Sequence, residues 1–166
     1  MTASLQALWV WVTSTFGGKL AASLFVSMLP VIELRGGIPI AVGLGLAPRV
    51  AIPVCVLGNI LPIVPVILFV KAVFAKMRQW GGFFASLVDK LERKANKHRD
   101  VLDKYAWMGL VLLTAVPLPG TGAWTSSLLA ALTGIRLKHA FPAIALGVVI
   151  AAVVIGTLSY GVAALV

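Results

Sequence analysis

The residues best suited to chemistry are Glu33 and Arg35, which stand in a long run of apolar side chains. Between Leu20 and Val70, Arg49 is the only other charged residue. A carboxylate and a guanidinium inside a membrane are costly unless they pair or face a cavity. Glu33 is also the only acidic residue outside positions 71–104, so it is the sole intramembrane candidate for binding a proton or a cation. Arg35 keeps its charge and can bind a phosphate or a carboxylate through two N–H groups.

The alternative for Glu33 and Arg35 is a mutual ion pair that only fixes the local structure. Residues two apart do not face each other on a helix, which counts against that pair. Asn59 is a further candidate polar contact. The alternative for Asn59 is a hydrogen bond to a neighbouring membrane helix.

Two helix-breaking motifs add candidate site residues. Gly36, Gly37 and Pro39 follow Arg35, and they predict a broken helix, because glycine loosens the backbone while proline lacks an N–H donor. Broken backbone at membrane depth is tolerated where it is buried in protein or lines an aqueous cavity. The second motif runs from Pro117 to Trp124. Its candidates are the glycine amides, the Thr121 hydroxyl and their neighbours: Pro119, Gly120, Thr121, Gly122 and Trp124. Close helix packing through small residues is the alternative for this motif.

The composition indicates an all-α integral membrane protein of one domain, residues 1–166. Hydrophobic residues make up 60% of the chain, charged residues 11%, and the mean hydropathy is +1.04. These values exclude an ordinary soluble domain. Cys55 is the single cysteine, so no disulfide framework or cysteine metal site is expected. With one intramembrane acid, no catalytic set can be assembled. We therefore expect no enzyme, no cofactor and no metal.

An internal repeat organises the chain. Residues 25–60 align without gaps to residues 114–149, and eight of the 36 pairs are identical, including two proline pairs and two glycine pairs. This pattern predicts two repeats, residues 19–70 and 105–166, each a short helical hairpin followed by a membrane span. The spans are expected at 50–70 and 140–162. Residues 1–18 would form an interfacial segment, and residues 71–104 a linker. A kinked full-length helix in place of each hairpin is the alternative.

A re-entrant hairpin followed by one span crosses the bilayer once, so the second repeat would be inverted. Eleven of the fourteen Lys and Arg residues lie in the linker or at 136–139. This asymmetry predicts a cytoplasmic linker. The expected location of the protein is a prokaryotic inner membrane. Residues 83–104 have the apolar spacing of an amphipathic surface helix, for which a solvated connector is the alternative. The basic block lacks any nucleic-acid recognition motif, so nucleic acid is not an expected partner.

The second span has small residues four apart: Gly147 and Ala151, then Ala152 and Gly156. Such spacing allows two helices to approach closely. It predicts a homo-oligomer, most simply a dimer.

The segments 33–39 and 117–124 together resemble the paired signatures of the small multidrug export family. That family is similar to the DedA (VTT-domain) superfamily of re-entrant membrane proteins. The resemblance covers roughly Leu20 to Val162. It implies two facing re-entrant hairpins, proton-dependent transport, and handling of drugs or membrane lipids.

These features predict a membrane transporter, coupled to protons or Na⁺, with membrane lipids as partners. Arg35 and the glycine amides suit an amphipathic anion or a lipid-linked phosphate, which is the expected substrate. One alternative is an exporter of cationic drugs, for which Glu33 is suited. Another is a scaffold that transports nothing.

Overall fold

In a computed structural model of the protein, residues 3–79, 82, 86, 99–118 and 120–165 are described. The regular elements in this part of the chain are α-helices. They are α1 (Ala3–Ser14), α2 (Phe16–Met28), α3 (Glu33–Gly43), α4 (Pro48–Ile60), α5 (Ile63–Gln79), α6 (Arg99–Ala115), α7 (Ala123–Leu132) and α8 (Leu137–Ala163). Pro119 and most of the predicted linker helix, residues 83–85 and 87–98, lie outside the described residues.

Three helices extend beyond the bounds expected from the sequence. α2 begins at Phe16, because the Thr15 hydroxyl caps its first turn by accepting the Gly18 N–H at 3.2 Å. α5 continues past residue 70 to Gln79, and α6 already begins at Arg99. Both ends of the segment assigned to the linker therefore belong to helices α5 and α6.

The chain divides into two compact units. Unit 1 comprises Met1–Leu61 with Val148–Val166, and unit 2 comprises Pro62–Gly147. In unit 1, α2 and α3 pack on each other and both pack on α4. In unit 2, α7 packs against α5 and α6. The helices on the two sides of each break are thus separate helices that contact each other.

Three helices of unit 1 meet at Ser27. The Ser27 side chain occupies the space that a side chain on Gly37 of α3 would need. A methyl group on Gly58 of α4 would lie 2.5 Å from the Leu24 carbonyl oxygen and 3.1 Å from Ser27 Cβ. Both glycines are therefore required for close approach of the helices, as is common in membrane proteins. We call this contact the Ser27 junction.

Unit 2 has a matching contact at Thr114, which we call the Thr114 junction. A methyl group on Gly147 of α8 would lie 2.8 Å from the Val111 carbonyl oxygen and 2.5 Å from Thr114 Cβ. The Thr114 hydroxyl is 2.7 Å from the Ser126 hydroxyl of α7. Residues 126 and 147 correspond to 37 and 58 at the spacing of 89, whereas Thr114 corresponds to Ser27 at 87. The second break is therefore two residues longer than the first.

α3 ends in a Schellman turn, with Gly45 in the left-handed region at φ +73°. The Leu46 N–H donates to the Ala41 carbonyl at 3.0 Å, and the Gly45 N–H donates to the Val42 carbonyl at 2.8 Å. These two bonds satisfy carbonyls that the helix end would otherwise leave without donors.

The turn after α7 repeats this pattern bond for bond. Gly134 has φ +71°. The Ile135 N–H donates to Ala130 at 3.0 Å, and the Gly134 N–H donates to Ala131 at 3.3 Å. All four residues are those of the first turn displaced by 89. The repeat seen in the sequence is therefore a repeat of local structure.

Among the described residues, the span of each repeat donates a side-chain hydrogen bond to the turn of the other repeat. Within unit 1, the Tyr160 hydroxyl donates to the Leu46 carbonyl at 2.7 Å. Within unit 2, the Lys71 ammonium donates to the Ile135 carbonyl at 3.1 Å. Residues 71 and 160 are 89 apart, and so are 46 and 135. The turn of each repeat is therefore held by the span of the other.

Two helical stretches are long and apolar enough to cross a bilayer, Pro48–Lys76 and Leu137–Ala163. The first is interrupted at Leu61-Pro62, where Pro62 cannot donate a helical hydrogen bond. In the most apolar 18 residues of each stretch, the share that is buried within the chain is only 39% for the first and 44% for the second. Most of this apolar surface faces outward, as expected for contact with lipid.

The prediction of a homodimer through the small residues of the second span loses its basis. Gly147 packs against Thr114, Gly156 packs against Ile52, and Ala151 and Ala152 are buried in the protomer. The small residues serve packing inside one chain, because the broken helices must approach the span closely. A homo-oligomer therefore stays a prediction that these four residues do not support.

The Schellman turns predict opposite effects of alanine at neighbouring glycines. Gly45→Ala and Gly134→Ala should each lower the stability by about 1 kcal/mol, because alanine resists positive φ. Gly43→Ala should be neutral or slightly stabilising, because Gly43 is helical and an added methyl group meets open space. Thermal unfolding in detergent measures all three. Equal effects at positions 43 and 45 would contradict the assignment of the turn.

Candidate functional site

Glu33 is the first residue of α3 and lies directly after the first break, residues 29–32. Its N–H donates to the Leu29 carbonyl at 3.0 Å, and its side chain is 6% exposed. Its φ of +48° is the only positive value at a non-glycine among the described residues. A left-handed backbone costs an ordinary residue about 1–2 kcal/mol. Such strain persists where the surroundings impose it, often at functional sites.

The equivalent position in the second repeat is occupied by glycine. Gly122 precedes α7 as Glu33 begins α3, and its φ is +141°. Both positions thus have positive φ but in different conformations: Gly122, at φ +141° and ψ −167°, lies in a region that glycine adopts without strain. The first repeat instead carries a glutamate there, at a cost in backbone energy.

The prediction that Gly36, Gly37 and Pro39 break the helix was wrong. α3 runs unbroken from Glu33 to Gly43 through all three residues. The break lies one turn earlier, at residues 29–32, where Pro30 matches Pro119 of the second repeat. Gly37 is glycine because Ser27 lies against it. The Gly36 N–H donates to the Ile32 carbonyl at 3.1 Å, so it is occupied within the chain.

Arg35 lies in the first turn of α3 and is half-buried. Pro39, four residues on, is exposed and lacks the N–H that would reach the Arg35 carbonyl in a regular helix. The helix thus tolerates Pro39 at the loss of one backbone bond. Both residues belong to unit 1, with Glu33 and Asn59.

Asn59 is 2% exposed, next to Gly58 of the Ser27 junction. Its Oδ1 atom has no hydrogen-bond partner in the described part of the chain. A buried amide oxygen without a donor costs roughly 1–3 kcal/mol. Among the described residues, Oδ1 therefore accepts no hydrogen bond from a neighbouring helix.

The second break is organised by Thr121. Its hydroxyl is 2.8 Å from the Val116 carbonyl and 2.9 Å from the Leu118 carbonyl, and its N–H donates to Leu118 at 3.1 Å. Gly120 has φ +82°, and its carbonyl accepts the Thr125 hydroxyl at 2.8 Å. The Thr121 groups that were expected to contact a substrate thus bond within the loop. Trp124, in the first turn of α7, is half-buried. These residues lie in unit 2.

The sequence analysis missed the buried hydroxyls. Ser23 and Ser27 are both fully buried in α2, and the Cys55 sulfur is 4.0 Å from the Ser23 carbonyl. Ser27 donates back to the Ser23 carbonyl at 2.8 Å. The spacing of four residues between two serines in an apolar helix was the available signal. In the described part of the chain, no group of His, Cys, Asp and Glu could hold a metal.

One comparison with known proteins gives a match. The family model described as "Putative small multi-drug export protein" matches residues 33–154, more than half of the 166-residue chain. The match begins at Glu33 and includes both candidate groups. No curated protein and no solved structure matches the chain.

The strain at Glu33 predicts an inverted order of two substitutions. Glu33→Gly should be more stable than Glu33→Ala by about 1 kcal/mol, because both remove the side chain but only glycine relieves the positive φ. In an ordinary helical position alanine is the more stable of the two. Leu129, an exposed residue of α7, provides that control.

Thermal unfolding of the four variants in one detergent is the measurement. Leu129→Ala should be more stable than Leu129→Gly. The same order at position 33 would mean that the backbone there is not strained.

Proposed function

We propose that the chain, which belongs to the small multidrug export family, is an integral membrane exporter of amphipathic small molecules, with lipophilic cations as its substrates. Family membership supports export. The apolar composition and the two span-length helices support the membrane location. The choice of cations rests on Glu33.

The observation that carries this proposal is the buried carboxylate in a strained backbone. Glycine would fill the position at lower cost, as Gly122 does in the second repeat. A buried negative charge in an apolar protein attracts a positive group, either a proton or a cationic substrate. We assign both roles to Glu33, with the proton and the substrate competing for one carboxylate.

The structure weakens the support for an anionic substrate. The N–H groups of Gly36 and Thr121 donate to carbonyls of their own chain, so they are not available to cradle a phosphate. Arg35 is the remaining feature that favours an anion. Transport of a lipid-linked phosphate, and the similarity to the DedA superfamily that suggested it, becomes the second candidate. Cationic export agrees better with the family.

We also propose that the two hairpins are re-entrant and that the repeats are inverted. Helices α2, α3 and α7 contain 10–13 residues. Such helices are about 15–20 Å long, short of the ~30 Å hydrocarbon core. The Schellman turns at Gly45 and Gly134 and the hydrogen bonds of Lys71 and Tyr160 recur at a spacing of 89 residues, which supports two equivalent halves. Inverted repeats are a common arrangement of such halves in membrane transporters.

Asn59, which belongs to the same unit as Glu33, is a second candidate for contact with the coupling ion or the substrate. Its Oδ1 atom is buried and lacks a donor among the described residues. An ammonium group, a proton carrier such as water, or Na⁺ would satisfy it. We favour the proton as the coupling ion because Glu33 can take up and release one.

Flux measurements in liposomes test the function. Glu33→Gln should lower the pH-dependent flux of a lipophilic cation, such as tetraphenylphosphonium, by more than about tenfold, the effect of losing about 1.4 kcal/mol. Glu33→Asp keeps the charge and should retain part of the flux. Arg49→Gln removes an exposed charge and serves as the control.

Each outcome separates the candidates. Full pH-dependent cation flux in Glu33→Gln would remove Glu33 from the mechanism. Flux of a fluorescent phosphate lipid that depends on Arg35, without cation flux, would favour the second candidate. If the folded protein moves neither class, the chain is a non-transporting scaffold.

Cysteine labelling tests the inversion. Arg49 and Lys138 are equivalent, both are exposed, and each lies in the first turn of a span-length helix. In a Cys55→Ala background, Arg49→Cys and Lys138→Cys should react with a membrane-impermeant maleimide from opposite sides, with position 138 cytoplasmic. Labelling of both positions from one side would exclude inverted repeats.

A further inference from the structure

Unit 2 contains a cleft at the start of α8 that the export mechanism does not use. It is lined by Ala106, Trp107, Leu110, Ile135 and His139. Its inner wall is apolar, since Leu110 is 2% exposed, whereas Trp107 at 44% exposure forms an open side. An exposed tryptophan beside an apolar wall is typical of the membrane–water interface.

Basic groups surround this cleft. The Lys71 ammonium is 3.1 Å from the carbonyl oxygen of Ile135, a lining residue. Arg136 and Lys138 are exposed in the same turn, on either side of Leu137. An ammonium carries three donors, and the Ile135 carbonyl uses one of them. The cleft therefore combines nearby positive charge with an apolar wall, which suits an anion that also carries an apolar part.

The turn after α3 is equivalent to the turn at this cleft, and comparison of the two shows which of these features the fold itself requires. The positions equivalent to Trp107, His139 and Lys71 are Leu20, Val50 and Tyr160. Tyr160 makes the equivalent hydrogen bond to Leu46, so an uncharged donor is sufficient to hold the turn. The tryptophan, the histidine and the ammonium are thus additions found at one turn only, and packing does not explain them.

We propose that this cleft binds the headgroup of an anionic phospholipid, with the phosphate at Lys71 and His139 and the glycerol region against Trp107. The open apolar side favours a lipid over a free phosphate ion, because a free ion gains nothing from Trp107 and Leu110. Anionic lipid is attracted to basic residues at a membrane surface. This proposal depends on the membrane location of the chain and not on the exported substrate.

Exchange of residues between the repeats provides the test. Lys71→Tyr removes the charge but keeps a hydroxyl donor for Ile135, and Trp107→Leu and His139→Val likewise copy the first repeat. Native mass spectrometry of the purified protein with phosphatidylglycerol or phosphatidylcholine measures lipid retention. Lys71→Tyr should reduce the preference for phosphatidylglycerol roughly fivefold, the effect of about one basic residue at an anionic surface. Arg49→Ala, on the equivalent turn, should leave it unchanged.

Trp107→Leu provides a second test in case Lys71→Tyr does not fold, because Trp107→Leu does not alter the hydrogen bond from Lys71 to Ile135. It should reduce retention of both lipids while the helical circular dichroism stays the same. Unchanged lipid retention in folded Lys71→Tyr and Trp107→Leu would overturn the proposal. Displacement of phosphatidylglycerol by millimolar inorganic phosphate would overturn it too, because the site would then bind the free ion.

Discussion

The exchange of hydrogen bonds between the repeats is the constraint on which much of this fold depends. The Leu46 carbonyl is held by Tyr160, and the Ile135 carbonyl by Lys71. In both cases the acceptor follows a Schellman turn of one repeat, while the donor comes from the span of the other. Neither repeat can make this bond alone. The composition of the units follows the same rule, since each combines a hairpin with parts of both spans.

Close approach of the helices is the second requirement, and small residues meet it. A membrane offers little hydrophobic driving force between helices, so association relies on van der Waals contact and hydrogen bonds. At the Ser27 junction, Gly37 and Gly58 let α3 and α4 reach α2. At the Thr114 junction, Ser126 replaces one glycine and contributes a hydroxyl contact instead. The two repeats therefore solve one packing problem with different side chains.

The sequence predicted the internal repeat, which is recognised by its matching proline and glycine residues. The gapless alignment contains two proline pairs and two glycine pairs, and one of these glycine pairs, Gly45 and Gly134, forms turns that match bond for bond. The gapless alignment missed the two extra residues of the second break, because the similarity before it is too weak to reveal a shift. It also missed the exchanged bonds, since Lys71 and Tyr160 share a donor function but no sequence similarity. Gly36, Gly37 and Pro39 were misread because helix propensity is a weak guide where tertiary packing favours a helix.

In the candidate site, some features are explained by the fold and others are not. Gly122 shows that the backbone after a break adopts positive φ, and Glu33 adopts it despite the strain. A sequence cannot reveal that cost, because the left-handed conformation is a property of the folded break. Glu33 differs in this from Asn59, whose buried oxygen lacks a donor but whose backbone lies within the regular helix α4. Glu33 also carries an ionisable group, which Asn59 does not, so the proposed coupling of cation binding to proton release is assigned to Glu33 and not to Asn59.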